Sequence, residues 1–206
     1  MILKINHLLM FSLSLFLLYG CAINRANIPI DSNSAIPGTT VAKDGQPIKL
    51  LGNPIAIGDT LPSVYLIDAM TMTPVDLSTM RGSVLFLSVV PSIDTAVCEA
   101  QTHYLGDRGN KLPSEIKRIT ISRDTPFAQK RFAKEAKLEN IQFLSDYKEG
   151  AFGRSMGLLM DGLMLLTRTV IIADREGKVR YIQVVPEITH LPDMEQAFRK
   201  AEEIVR

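Results

Sequence analysis

Short runs rich in Val, Ile and Leu alternate along the chain with stretches whose apolar positions recur every three to four residues, so two rhythms share it. Residues 64–67, 84–90, 116–121, 141–144, 169–173 and 179–185 predict strands, because branched side chains suit a pleated surface better than a helix. Residues 98–108, 127–138, 151–156 and 194–205 predict helices. Strands interleaved with helices call for crossover connections, so the expected class is α/β with a central mixed sheet flanked by helices. The last two strands are joined by Arg175-Glu176-Gly177-Lys178, too short for a helical crossover, and must run antiparallel. Residues 84–90 are apolar on both alternations and belong at the centre of the sheet, buried on both faces.

The N-terminal pattern is different. Residues 7–19 form an unbroken apolar run behind a single cation, Lys4, which is the shape of a secretory signal. The run is shorter than the roughly 20 residues needed to cross a bilayer as a stable helix. It ends at Leu18-Tyr19-Gly20-Cys21, which resembles the bacterial lipobox. That resemblance implies cleavage after Gly20 and lipidation of Cys21, and several acyl chains hold a protein firmly on a membrane. Ala22 stands where an Asp would retain the protein at the inner membrane under enterobacterial sorting rules. The expected location is therefore the bacterial cell envelope, on the outer membrane facing the periplasm. Residues 21–40, rich in Asn, Ser and Pro and without a period, read as a flexible tether, which leaves 41–206 as the folded domain. At its start, Lys43-Asp44-Gly45-Gln46 predicts a turn. Residues 48–51 and 55–57, around Gly52-Asn53-Pro54, predict an N-terminal β-hairpin that decorates the core.

Composition narrows the function. With 206 residues and 46% hydrophobic content the chain can bury one substantial core. Removing residues 1–20 takes away only Lys4, leaving 22 basic and 22 acidic residues and no basic excess for nucleic acid. His7 lies in the signal, while His103 and His190 are far apart in sequence, so no metal centre and no cofactor are expected. Of the two cysteines, Cys21 is assigned to lipid, which leaves Cys98 as the one thiol and allows no internal disulfide. A thioredoxin-like copper chaperone would need paired cysteines and a ligand histidine, and is disfavoured.

Cys98 follows the central strand and the segment from Pro91 to Val97, and falls in the first turn of the next helix. There, unpaired backbone N–H groups and the positive end of the helix dipole favour an anion. An ordinary cysteine is only a few per cent thiolate at neutral pH, and the thiolate is the nucleophile.

Pro91-x-x-x-Thr95-x-x-Cys98 resembles the peroxiredoxin motif, and the whole segment from Val90 to Cys98 is similar to the bacterial thiol peroxidase subfamily. The stretches from Thr125 to Phe132 and from Pro186 to Thr189 resemble the same subfamily, so the likeness runs from about Val41 to the C-terminus. It implies a thioredoxin-like fold, a hydroperoxide substrate and Cys98 as the peroxidatic cysteine. Thr95 would hold the sulfur and a peroxide oxygen, Pro91 would roof the pocket, and Arg168 would favour the thiolate and bind peroxide. Gln101 lies three residues beyond Cys98 on the same helix side and is an accessory candidate. A homodimer, as in relatives, is among the implied assemblies. The pattern breaks at Ala133, where the subfamily mostly carries a resolving cysteine. A sulfenic acid on Cys98 would then need an external thiol or thioredoxin-like reductant. The alternative is a redox sensor or thioredoxin-like binding lipoprotein that reacts once without turnover.

Overall fold

All six residues of the strand Val84–Val89 are buried, as a segment apolar on both alternations requires. In chain order the elements are β1 (Ile30–Asp31), β2 (Thr40–Lys43), β3 (Gln46–Leu51), β4 (Tyr65–Asp68), β5 (Pro74–Asp76), β6 (Val84–Val89), α1 (Ala96–Gly109), β7 (Ile116–Ser122), α2 (Pro126–Glu135), β8 (Gln142–Ser145), α3 (Ala151–Met156), β9 (Leu159–Met160), β10 (Thr169–Ala173), β11 (Val179–Val184), β12 (Leu191–Pro192) and α4 (Met194–Val205). This computed structural model describes residues 28–206; the expected signal segment 1–20 and the lipidation at Cys21 lie outside the described residues.

Seven strands form one mixed sheet in the order β11-β10-β6-β7-β8-β4-β5. The β6–β7 and β7–β8 pairs are parallel, with α1 and α2 as their crossovers, and the remaining neighbours are antiparallel. β6 sends Val84 and Phe86 into the cluster that also holds Leu105 of α1, Ala133 of α2 and Phe198 of α4. Its alternate residues Leu85, Leu87 and Val89 enter a second cluster with Phe152 and Met156 of α3 and Val41 and Leu50 of the N-terminal hairpin. Each such side chain taken fully out of water stabilises the fold by about 1.5–3 kcal/mol, so β6 organises both layers.

Three expectations at the N-terminal side are corrected. The hairpin pairs β2 with β3, from Thr40 opposite Lys49 to Lys43 opposite Gln46, and residues 55–57 form no strand. Asp44 and Gly45, at φ 51° and 75°, make the two-residue loop that such a hairpin favours, so the Asp-Gly pair dictates the register. Gly52, which looked like the turn, instead lies against α3: a Cβ there would sit 1.9 Å from the Arg154 carbonyl oxygen. Second, residues 28–39 are not a free tether. β1 pairs in parallel with β12, and Gln183 Nε2 donates to the carbonyls of Asp31 (2.6 Å) and Asn33 (3.1 Å). Third, the hairpin is more than decoration, because it grips the loop between β11 and β12. The Ala42 N–H donates to the Pro186 carbonyl (2.6 Å), the Ile188 N–H to the Ala42 carbonyl (2.9 Å), and the Asp44 and Gly45 N–H groups to the Glu187 carboxylate.

Candidate active site

Cys98 is the third residue of α1, in the helix turn whose N–H groups lack intrahelical partners. Thr95 stands at the N-cap with extended backbone (φ −132°, ψ 145°), and its carbonyl accepts the first helical bond, from the Glu99 N–H at 2.9 Å. The helix therefore starts where the sequence predicts a thiol in a first turn.

The sheet supplies the partner. β10 runs antiparallel to β6 with Thr169 opposite Val89, so the start of β10 lies beside the end of β6. Arg168, one residue before β10, is brought to Cys98 across 70 positions of sequence, and its Nη2 donates to Sγ at 3.4 Å. Nη1 donates to Gln101 Oε1 at 2.8 Å, and Nε to the Ile188 carbonyl at 2.9 Å. Gln101 Nε2 in turn donates to Ser88 Oγ on β6 at 2.8 Å. Cys98 is 1% exposed, Arg168 2%, and Gln101 and Ser88 0%.

Burying an ionised group costs several kcal/mol unless an opposite charge and hydrogen bonds compensate it. Every guanidinium nitrogen has a partner, yet none of the ion pairs among the described residues includes Arg168. The atom beside it that can carry negative charge is the Cys98 sulfur. The arrangement can thus hold a thiolate against a buried cation, and its other side packs against Val90, Ile93 and Phe132.

The other predicted residues are arranged less closely. Pro91 is buried two residues beyond the end of β6 and has no N–H to offer. Thr95 is exposed, and its hydroxyl donates to the Ser92 carbonyl at 3.1 Å; among the described residues no hydrogen bond joins it to Cys98. It borders a cleft of about 490 Å³ that also touches Ile93, Ala96, Glu99 and Phe132. Ala133, where a resolving cysteine was sought, is buried in α2. Among the described residues no group of three or more His, Cys, Asp and Glu side chains could hold a metal ion.

Two residues escaped the sequence reading. Glu187 carries four donors, the N–H groups of Asp44, Gly45 and Thr189 and the Thr189 hydroxyl, and so fixes the loop whose Ile188 carbonyl receives Arg168 Nε. Burial pushes its carboxyl up, but the donors from Gly45, Thr189 and Asp44 outweigh that and leave it below the ordinary 4.5. Asp124, between β7 and α2, accepts from the turn that leads to Cys98. Its only signal in sequence was a carboxylate between a strand end and the Thr-Pro start of a helix.

A mixed sheet with a late antiparallel hairpin, bearing a buried thiol beside a guanidinium at the first turn of a helix, defines a cysteine-dependent oxidoreductase of thioredoxin-like fold. The redoxin family pattern matches residues 56–198. A thiol peroxidase of Halalkalibacterium halodurans is 40% identical over 157 residues, 76% of this chain and 93% of that protein. A thiol peroxidase of Bacillus subtilis is 35% identical over 162 residues, 79% of this chain and 96% of its own length. Among solved structures, a peroxiredoxin-like protein from Aquifex aeolicus superposes with a TM-score of 0.77 at 31% identity, covering 84% of this chain and 99% of that one. The chain belongs to the redoxin family, in the thiol peroxidase branch of the peroxiredoxins, and carries out thiol-dependent reduction of peroxide.

Proposed function

We propose that the protein is a one-cysteine peroxidase in which Cys98 attacks the hydroperoxide and an external thiol completes the cycle. The observation that carries this reading is the Arg168 guanidinium, buried, in no ion pair among the described residues, and donating to Sγ at 3.4 Å. A cation in a dry site favours charge on the sulfur, and its N–H groups can follow the charge as it moves to the leaving oxygen. The Cys98 thiolate attacks the terminal oxygen of ROOH, the S–O bond forms and the O–O bond breaks. RO⁻ leaves and is protonated to ROH, and sulfur has lost two electrons. An external thiol then condenses with the sulfenic acid, releasing water and forming a mixed disulfide. A second thiol restores Cys98 and leaves as the disulfide of the reductant.

In this cycle Gln101 holds the guanidinium in orientation through Nη1, and Pro91 keeps one side of the sulfur free of competing donors. Thr95, on the rim of the cleft, exchanges the Ser92 carbonyl for a peroxide oxygen. No sulfur at position 133 is available to resolve the sulfenic acid, which is the reason for an external reductant. Reduced protein mixed with peroxide and a sulfenic-acid trap tests the scheme by mass spectrometry. The adduct is expected on Cys98 and is lost in Cys98→Ser, and steady consumption of peroxide requires added thiol. A single turnover that no thiol can renew would identify a sensor instead.

The protein is further proposed to be a lipoprotein of the bacterial envelope, attached through Cys21 to the outer membrane and facing the periplasm. The apolar run 7–19 and the Gly20-Cys21 junction support this. The mass of the mature N-terminal peptide tests it: an unmodified Cys21 would exclude the anchor.

A further inference from the structure

We propose that Asp124 is a positioning residue for the peroxide step, fixing the turn from Ser92 to Thr95 and thereby the start of the helix that carries Cys98. The inference rests on the reading of Cys98 as the attacking thiol. Oδ1 accepts from Ser92 Oγ at 2.7 Å, and Oδ2 accepts from the Ile93 N–H at 2.8 Å and from Ser122 Oγ at 2.6 Å. Three donors converging on one group suit an ionised carboxylate, which accepts at both oxygens and donates at neither. None of the ion pairs among the described residues includes Asp124, so its work is to collect donors.

What it is tied to is rigid, and what it holds is not part of a strand or helix. Ser122 ends β7, and its Oγ also accepts from Gln129 Nε2 of α2 at 2.8 Å; that amide donates to the Leu144 carbonyl of β8 at 3.0 Å as well. Ser145 Oγ of β8 donates to the Asp124 carbonyl, and Thr125 caps α2 by accepting from the Ala128 N–H. On the other side, the Ser92 carbonyl accepts the Thr95 hydroxyl, and the Asp94 N–H reaches Ser92 Oγ at 3.4 Å. A continuous set of contacts therefore runs from two strands and a helix, through Asp124, to the N-cap of α1. The Cys98 sulfur must meet both the guanidinium and the peroxide, and misplacement by about 1 Å can slow a reaction on the order of 10²-fold.

The test uses full-length reduced protein as wild type, Asp124→Asn and Ser92→Ala. For each, the rate of Cys98 sulfenate formation with hydrogen peroxide is compared with its rate of alkylation by iodoacetamide at the same pH. Asn turns an NH2 group toward donors that need an acceptor, whereas Ser92→Ala removes one contact and leaves the Ile93 N–H held. Asp124→Asn is expected to slow the peroxide reaction at least about tenfold while alkylation holds or rises, with a smaller slowing in Ser92→Ala. Peroxide rates within about twofold of wild type, or peroxide and alkylation rates falling in equal proportion, would overturn the inference. If Asp124→Asn does not fold, the peroxide rate of Ser92→Ala decides alone by the same limits. A wild-type protein that forms no adduct on Cys98 refutes the underlying reading of the thiol, and that result is read before any variant.

Discussion

Cys98 in α1 and Ala133 in α2 are equally hidden, each 1% exposed, and Phe132 packs against the clusters of both. Their other neighbours differ. Ala133 belongs to an apolar cluster with Leu105, Leu138 and Phe143, while Cys98 has a guanidinium 3.4 Å from its sulfur. Burial alone makes a cysteine an inert small hydrophobe. A buried cation makes the same degree of burial an advantage, because its field is not screened by water. The contrast lies in the partner that the sheet brings to the thiol, and under the proposed mechanism that partner is the source of reactivity.

The largest effect should come from removing that partner. Arg168→Ala is expected to slow sulfenate formation by more than about tenfold, the scale on which losing one preorganised donor slows a reaction. Arg168→Lys should recover little, since an ammonium cannot reach Sγ, Gln101 and Ile188 in one fixed fork. An unaltered rate in both variants, measured by stopped flow, would remove the contrast altogether. Gln101→Leu comes next: it leaves Arg168 Nη1 and Ser88 Oγ without their mutual partner in a buried site, costing about 1–3 kcal/mol. Chemical denaturation checks the cost, and the peroxide rate should fall less than in Arg168→Ala.

Glu187→Gln tests whether the hairpin side matters to the guanidinium. Folding lowers the Glu187 pKa, so its carboxylate contributes fully above the ordinary value of 4.5 and its contribution is lost as pH falls through the lowered value. The variant should melt a few degrees below wild type at neutral pH, about what losing one charged acceptor costs, and the gap should close as the pH is taken below 4.5. A gap independent of pH would show that the loop is held by other contacts. The smallest effect is expected at the second helix. Ala133→Cys adds one sulfur to a packed cluster and should cost about 1 kcal/mol. In a Cys98→Ser background it should yield no detectable sulfenate, and an adduct on residue 133 would mean that burial beside Phe132 is enough.

Much of the scaffold was readable because it is local. The uniform burial of β6, the antiparallel β10–β11 pair and the bounds of α3 and α4 follow from period and loop length. Most of the strands missed are short. β1, β9 and β12 have two residues each and β5 three, too few to display an alternation, while the four-residue β2 was missed together with the hairpin it belongs to. The N-terminal hairpin was misplaced because Gly52-Asn53-Pro54 carries turn residues for another reason, the close approach of α3.

The order of residues around position 98 was enough to specify a thiol in the first turn of a helix beyond a central strand, because turn and helix propensities act over a few neighbours. No neighbour of Cys98 in sequence could provide its cation. That required β10 to lie antiparallel against β6, which sets Arg168 and Cys98 side by side across 70 positions, with Gln101 and the Ile188 carbonyl on the other guanidinium nitrogens. Strand pairing is a long-range contact chosen by burial of whole faces, so a local motif can specify where the thiol stands while the assembled sheet alone brings a guanidinium to it.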